Sequence, residues 1–219
     1  MEALELENIS MDEPRAKHLG IKTYTYAEYA RWDTDDRYEL IDGIPYMMAS
    51  PSSVHQHVVG EVLVQLANAL RGKPCRPFVS PLDVCLFGKG DDDKTVVQPD
   101  VLVVCDRSKI TTKYINGAPD FVVEVVSPSS TRKDHLLKLN KYMMAGVREY
   151  WILDPEDKLV YTYIRRESSH EFAMHEDPGD LPVSVLEGCT LDMRSVFDMV
   201  LPEEPEEQDP ATRPPEVAL

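Results

Sequence analysis

The chain has 219 residues, 42% of them hydrophobic and 28% charged, with a formal net charge of -16. That suits one domain with a sizeable core and loose ends rather than two domains, and no apolar run approaches the roughly 20 residues that would span a bilayer. The charge excludes long-range attraction to phosphate backbones over the whole surface, so any affinity for nucleic acid must come from a local basic patch or a bound metal.

Residues 1–21 lack a clear apolar period and are expected to be loose. Glu2, Glu5 and Glu7 are the opposite of a signal peptide's basic start, so a soluble, cytoplasmic protein is expected. Residues 201–219, with five prolines and six acids, have the composition of a disordered tail. Of the net charge, -5 lies in 202–219 and -3 in 1–20, which leaves -8 on the expected folded body, 22–200.

Within that body, Thr25-x-x-Glu28 reads as a capping box opening a short helix from Tyr26 to Trp32. Tyr38 to Ile41 and Ile44 to Met48 read as a hairpin around Asp42-Gly43, with Pro45 marking an edge strand. Val58, Val59, Val62, Leu63, Leu66 and Leu70 keep a helical period between Ser53 and Arg71, with Ser53-x-x-Gln56 as a cap and Gly72 as a stop. Strands are expected at 78–86, 96–104, 121–126, 149–153 and 159–164, with an exposed loop at 88–94. A helix from Thr131 to Ala145 lies between the third and fourth of these, which favours a right-handed crossover joining parallel strands. A short closing helix is expected at 193–199. The fold class is therefore α/β (α+β), a mixed β-sheet flanked by helices. Cys75, Cys85, Cys105 and Cys189 form no CxxC pair and are expected to be reduced core thiols.

Two acids stand out within apolar strands, Asp100 in Gln98-Pro99-Asp100-Val101 and Glu124 in Phe121-Val122-Val123-Glu124-Val125-Val126. An ionised carboxylate there is costly unless it is paired, hydrogen-bonded or bound to metal. Two such carboxylates with carbonyls and waters make the hard oxygen site that Mg²⁺ takes. A structural salt bridge or a strand-end cap is the alternative. Asp134, Lys138 and Lys141 share a face of the following helix, either as an ordinary Asp134–Lys138 pair or as a lysine aimed at the carboxylates.

Pro99-Asp100 followed by Glu124-Val125-Val126 resembles the PD…(D/E)xK signature of a large metal-dependent nuclease superfamily. The wider set resembles one bacterial branch, the Uma2 (Uma-two) family of restriction-endonuclease-like proteins. It comprises Tyr38 to Gly43, Ser50-Pro51 with His55-Gln56, Gln98 to Val101, Glu124 to Ser129, Asp134-x-x-x-Lys138-x-x-x-Tyr142 and Gly146 to Pro155. The ordered match runs over about 24–200. It departs from the superfamily pattern at Val126, where a lysine would stand, and Lys138 fits a lysine moved to the next helix.

The resemblance implies a restriction-endonuclease-like core and a metal-dependent endonuclease acting on DNA. In that reading Asp100 and Glu124 ligate Mg²⁺ or Mn²⁺, with the Val125 carbonyl as a third ligand. Lys138 orients the attacking water or neutralises the scissile phosphate. Glu39 adds a carboxylate, and His55 is a candidate for phosphate contact or proton handling. Arg132, Lys133, Lys138, Lys141 and Arg148, with His135, form the one local basic enrichment. The rival expectation is a catalytically inactive nuclease-fold module for protein or nucleic-acid binding, which the acidic surface and displaced lysine favour. A homodimer is expected only because two-fold assemblies are common.

Overall fold

A computed structural model describes residues 20, 22–126, 132–167 and 169–199. Apart from residue 20, the expected loose segment 1–21 and the tail 201–219 lie outside the described residues, as do Ser127, Ser129 and Ser130. The side chains of Arg132, Lys133, Asp134 and His135 lie outside them too.

The chain first builds a capped turn and a hairpin. Helix α1 (Tyr26–Tyr29) starts at Thr25, whose backbone N–H donates to Glu28 Oε2 at 2.9 Å while its hydroxyl accepts from Glu28 N–H at 3.4 Å. It is one turn rather than the two expected. Strands β1 (Tyr38–Ile41) and β2 (Ile44–Met47) pair around Asp42 and Gly43, with φ of 54° and 82°. Positive φ at both residues is what a two-residue primed turn requires. A Cβ on Gly43 would also stand 2.7 Å from Thr23 Cβ, so the close approach of that segment demands glycine.

Helix α2 (Ser53–Ala69) has Ser52, not Ser53, as its N-cap, accepting from His55 N–H at 3.2 Å. It buries Val58, Val59, Val62 and Leu66 as the period predicts.

The expected strands 78–86 and 96–104 are each broken in two, and this organises the molecule. The first divides into β3 (Arg76–Val79) and β4 (Val84–Cys85) around a cis Ser80–Pro81 bond. The second divides into β5 (Val96–Val97) and β6 (Val101–Val104) around Gln98-Pro99-Asp100. A proline cannot donate to a ladder, so each break lets the chain pass from one sheet to another. With β7 (Ile115–Asn116), a five-stranded sheet runs β2-β1-β5-β4-β7. Strands β8 (Phe121–Val125), β9 (Glu149–Asp154), β10 (Leu159–Arg165) and β11 (His170–Glu176) complete a six-stranded sheet ordered β11-β10-β9-β8-β6-β3. Two sheets thus stand where one was expected, and β11 was not foreseen.

Helix α3 (Arg132–Ala145) makes the crossover between the parallel neighbours β8 and β9. One face of the six-stranded sheet packs on α2 through Val101, Val103, Phe121, Val123 and Trp151. The other packs on α3 through Leu102, Val104, Val122 and Tyr150, with Tyr142 on the helix side. A small hairpin, β12 (Asp180–Pro182) with β13 (Thr190–Asp192), leads into helix α4 (Met193–Phe197), slightly shorter than expected.

Two further expectations are corrected. Asp93, in the loop expected to be exposed, is buried, and its carboxylate accepts backbone N–H groups of Phe87, Lys89 and Thr95 at 2.9, 3.3 and 3.0 Å. Cys75 and Cys105 are joined in a disulfide, while Cys85 and Cys189 are free and buried. The antiparallel register that pairs Arg76 with Val104 carries Cys75 opposite Cys105, a proximity invisible in their 30-residue separation.

Candidate active site

The breaks at Ser80–Pro81 and Gln98-Pro99-Asp100 meet at a cleft of about 540 Å³ between the two sheets and α3. Its lining includes Arg37, Glu39, His55, Asp100, Glu124, Val125 and Lys138, so every residue expected at the site borders one space. Four elements and a strand entrance supply them. Glu39 comes from β1, His55 from the first turn of α2, Asp100 from the entrance to β6, and Glu124 with Val125 from the end of β8. Lys138 reaches in from α3.

Asp100 Oδ2 accepts the Val125 N–H at 2.8 Å and lies 3.1 Å from His55 Nε2. The first contact ties the two acidic strands together beside Glu124. Burial alone would push His55 down, but the hydrogen bond and charge of Asp100, aided by Glu124, outweigh it and raise its pKa. Among the described residues, none hydrogen-bonds the buried His55 Nδ1.

Glu124 lies in the interior with Oε1 accepting from Tyr142 Oη at 2.6 Å and Lys138 Nζ at 2.6 Å. Burial, aided by the charges of Asp100 and Glu39, outweighs the opposing pull of Lys138 and pushes the Glu124 carboxyl up to about 7. Lys138 Nζ also stands 2.9 Å from Glu39 Oε1, which accepts the Gln98 N–H at 2.7 Å. Desolvation disfavours the ammonium, yet the two carboxylates prevail and hold it well above its ordinary pKa. Lys138 is therefore a permanent cation at neutral pH. The ordinary Asp134–Lys138 pair cannot be placed, because the Asp134 side chain lies outside the described residues.

Lys141, one turn along α3, pairs with Asp42 at 2.6 Å. Two lysines three residues apart thus grip two hairpin acids three residues apart, fixing β1 against α3. Of the basic residues expected beside the cleft, only Lys138 borders it among those with described side chains; Arg148 instead pairs with Asp120 at 3.2 Å.

Three participants were not singled out from sequence. Arg37 places a guanidinium in the cleft wall, donating to Gln98 Oε1 at 2.8 and 3.2 Å and to Ser80 Oγ at 2.8 Å. Gln98 also donates to Asp83 Oδ1 at 2.8 Å, so this one residue links Glu39, Arg37 and Asp83. Tyr142 holds Glu124, and its four-residue spacing from Lys138 was the available signal. Arg37 had none, because nothing local connects it to positions 80 and 98.

Among the described residues, no three His, Cys, Asp or Glu side chains gather as a metal-holding cluster. Mg²⁺ asks for less, one or two carboxylates with carbonyls and retained waters. Asp100 and Glu124, linked through Val125, have the donor chemistry for such a hard cation.

A sequence model of the Uma2 family, described as "Putative restriction endonuclease", matches residues 26–194. A curated relative, "Uncharacterized protein slr1290" of Synechocystis sp., is 31% identical over 118 residues, 52% of this chain and 60% of that protein. The match thus spans less than two thirds of that relative's length. A crystal structure from Anabaena variabilis, titled as a "putative nuclease belonging to DUF820", superposes with a TM-score of 0.64 at 21% identity. It covers 79% of this chain and 97% of that one, and so establishes the shared fold.

Proposed function

This chain belongs to the Uma2 family, and from that premise we propose that it is a metal-dependent endonuclease hydrolysing DNA phosphodiester bonds in the cleft between its two sheets. The observation that carries the reading is the convergence of the Lys138 ammonium, 2.6 Å from Glu124 and 2.9 Å from Glu39, with Asp100 in one cleft.

Asp100 and Glu124, with the Val125 carbonyl, would hold Mg²⁺ or Mn²⁺. When bound, the ion supplies polarisation of the phosphodiester and a more acidic water. Lys138, already a cation, neutralises negative charge developing on the phosphoryl oxygens rather than removing a proton. Glu39, anchored by the Gln98 N–H, keeps the ammonium in place when Glu124 takes another partner. His55 orients the Asp100 carboxylate through Nε2. Arg37 adds a second positive group to the wall, where an acidic chain needs local attraction for phosphate.

A second reading, an inactive nuclease-fold module that binds protein or nucleic acid, is favoured by one observation. Lys138 lies between Glu39 and Glu124 and pairs with both, so it takes up a carboxylate that a metal would need. Supercoiled plasmid at low salt with Mg²⁺ or Mn²⁺ separates the two. Cutting by the parent and none by Glu124→Gln or Asp100→Asn supports the endonuclease. Cutting that survives both substitutions refutes the site, and a parent that neither cuts nor binds either ion in calorimetry supports the module.

A further inference from the structure

Strand β11 is the outer strand of the six-stranded sheet and reads His170-Glu171-Phe172-Ala173-Met174-His175-Glu176. Sheet edges that must stay single are blunted most by proline, lysine or a bulge, or kept short, with other charged side chains, such as Glu171 and Glu176 here, as a weaker guard. The other edges of the two larger sheets follow that rule: β2 carries Pro45, β3 carries Pro77, and β7 has two residues. Strand β11 does not. Its seven residues hold no proline, lysine or glycine, and all pair in unbroken register with β10.

The outward side of this edge is also apolar at its centre. Phe172 and Met174 are each 56% exposed. Both lie on the α3 face of the sheet, at the end of a row of rings that starts behind Glu124. Successive centroids in Tyr142–Tyr150–Tyr163–Phe172 are 4.9, 6.0 and 5.0 Å apart.

The direction of the free backbone groups follows from the ladder. Asp177 N–H donates to the Lys158 carbonyl at 2.9 Å and Arg166 N–H to that of Ser169 at 2.8 Å. By antiparallel alternation, residues 171, 173 and 175 turn their N–H and C=O toward β10. Residues 170, 172, 174 and 176 turn theirs to the edge at which no described strand pairs with β11.

We propose that two copies of this chain pair antiparallel through β11 about a two-fold axis at Ala173, joining their six-stranded sheets into one. The strand is self-complementary about that residue. His170 falls opposite the partner's Glu176, Glu171 opposite the partner's His175, Phe172 opposite the partner's Met174, and Ala173 opposite itself. The outward-facing residues 172 and 174 become a hydrogen-bonded pair, as do 170 and 176, so every free edge group between them finds a partner. Phe172 against the partner's Met174 is a favourable sulfur–aromatic contact. Glu171 already accepts from Arg166, and His175 lies 3.3 Å from Thr162 Oγ1, so His170 and Glu176 make the new charge contact. Any register shifted by two residues replaces these pairs with unmatched ones.

The axis stands perpendicular to the sheet, so the Glu124-bearing faces of both copies lie on the same side. Their β8 strands are seven strand spacings apart in the joined order, roughly 34 Å before twist. The pairing rests on the edge strand alone and stands whether or not the cleft cuts DNA.

Sedimentation of the full chain across a concentration series tests it, with circular dichroism to verify folding. The parent should sediment as twice the 24.8 kDa chain. Phe172→Lys should shift it to the monomer, since its exposed side chain is not needed for the intramolecular ladder. His170→Glu sets an acid against the partner's Glu176 and should raise the dimer dissociation constant by roughly tenfold. The double variant H170E/E176K restores opposite charges and should recover the parent value. A parent that is monomeric at every concentration overturns the proposal. So does a dimer that Phe172→Lys and His170→Glu leave unchanged, or a charge swap that fails to restore it.

Discussion

Lys138→Met removes the cation that Glu39 and Glu124 share. Its side chain is 11% exposed, against 9% for Glu39 and 7% for Glu124, so water cannot take its place. Removing one partner of a buried pair and stranding the other typically costs about 3–5 kcal/mol. The variant can escape part of this by binding a proton. Glu124 already titrates near 7 with Lys138 beside it, because burial outweighs the ammonium. Without that ammonium its pKa rises further.

The sign then follows from linkage. Below pH 7 Glu124 is largely protonated in both proteins, and they lose stability in parallel as pH climbs from the unfolded value of 4.5. Above pH 7 the parent ionises Glu124 against Lys138, whereas the variant must keep its proton. The stability gap should therefore widen by about 1.4 kcal/mol per pH unit above 7 until the full penalty is reached. Urea unfolding of chelator-treated protein, followed by the buried Trp151, measures it across this range. Lys138→Met combined with Glu124→Gln should recover part of the loss, since only Glu39, still held by the Gln98 N–H, is then left without the ammonium. A gap that is flat with pH, or strictly additive single effects, refutes the coupling.

In the same metal-free protein, His55 should stabilise at low pH. Its pKa is raised against burial by Asp100, so its contribution is complete below 6.5 and disappears as pH rises through the folded value. His55→Gln should remove that part of the profile, and a parent–variant difference constant with pH would refute it. Thiol titration in denaturant without reductant should find two reactive cysteines, Cys85 and Cys189, of the four. Finding four would place Cys75 and Cys105 in the reduced state. Loss of plasmid cutting in Glu124→Gln and Asp100→Asn, and loss of the dimer in Phe172→Lys, complete the set.

Much of the secondary structure was legible because it depends on local chemistry. Asp42-Gly43 supplies the positive φ of the hairpin turn, the period of Val58, Val59, Val62 and Leu66 selects the buried face of α2, and Glu124 is conspicuous as an acid within an apolar strand. Tertiary structure decided the rest. Two strands became four because prolines at 81 and 99 break the ladder where a second sheet begins, which no local pattern announces. Strand β11 carries alternating polarity too weak to signal a strand alone, and it forms by pairing along the whole of β10.

The residue types at the site were visible in sequence, but their partners were not. That Lys138 lies between Glu39 and Glu124, that Arg37 leans on Gln98, and that Cys75 bonds Cys105 depends on contacts between positions 14 to 99 residues apart. Sequence alone determines the local turns and helices and the charges they carry, because propensity and period act over a few residues. Only the packed chain decides which charges meet, because burial makes an unpaired one too costly to leave.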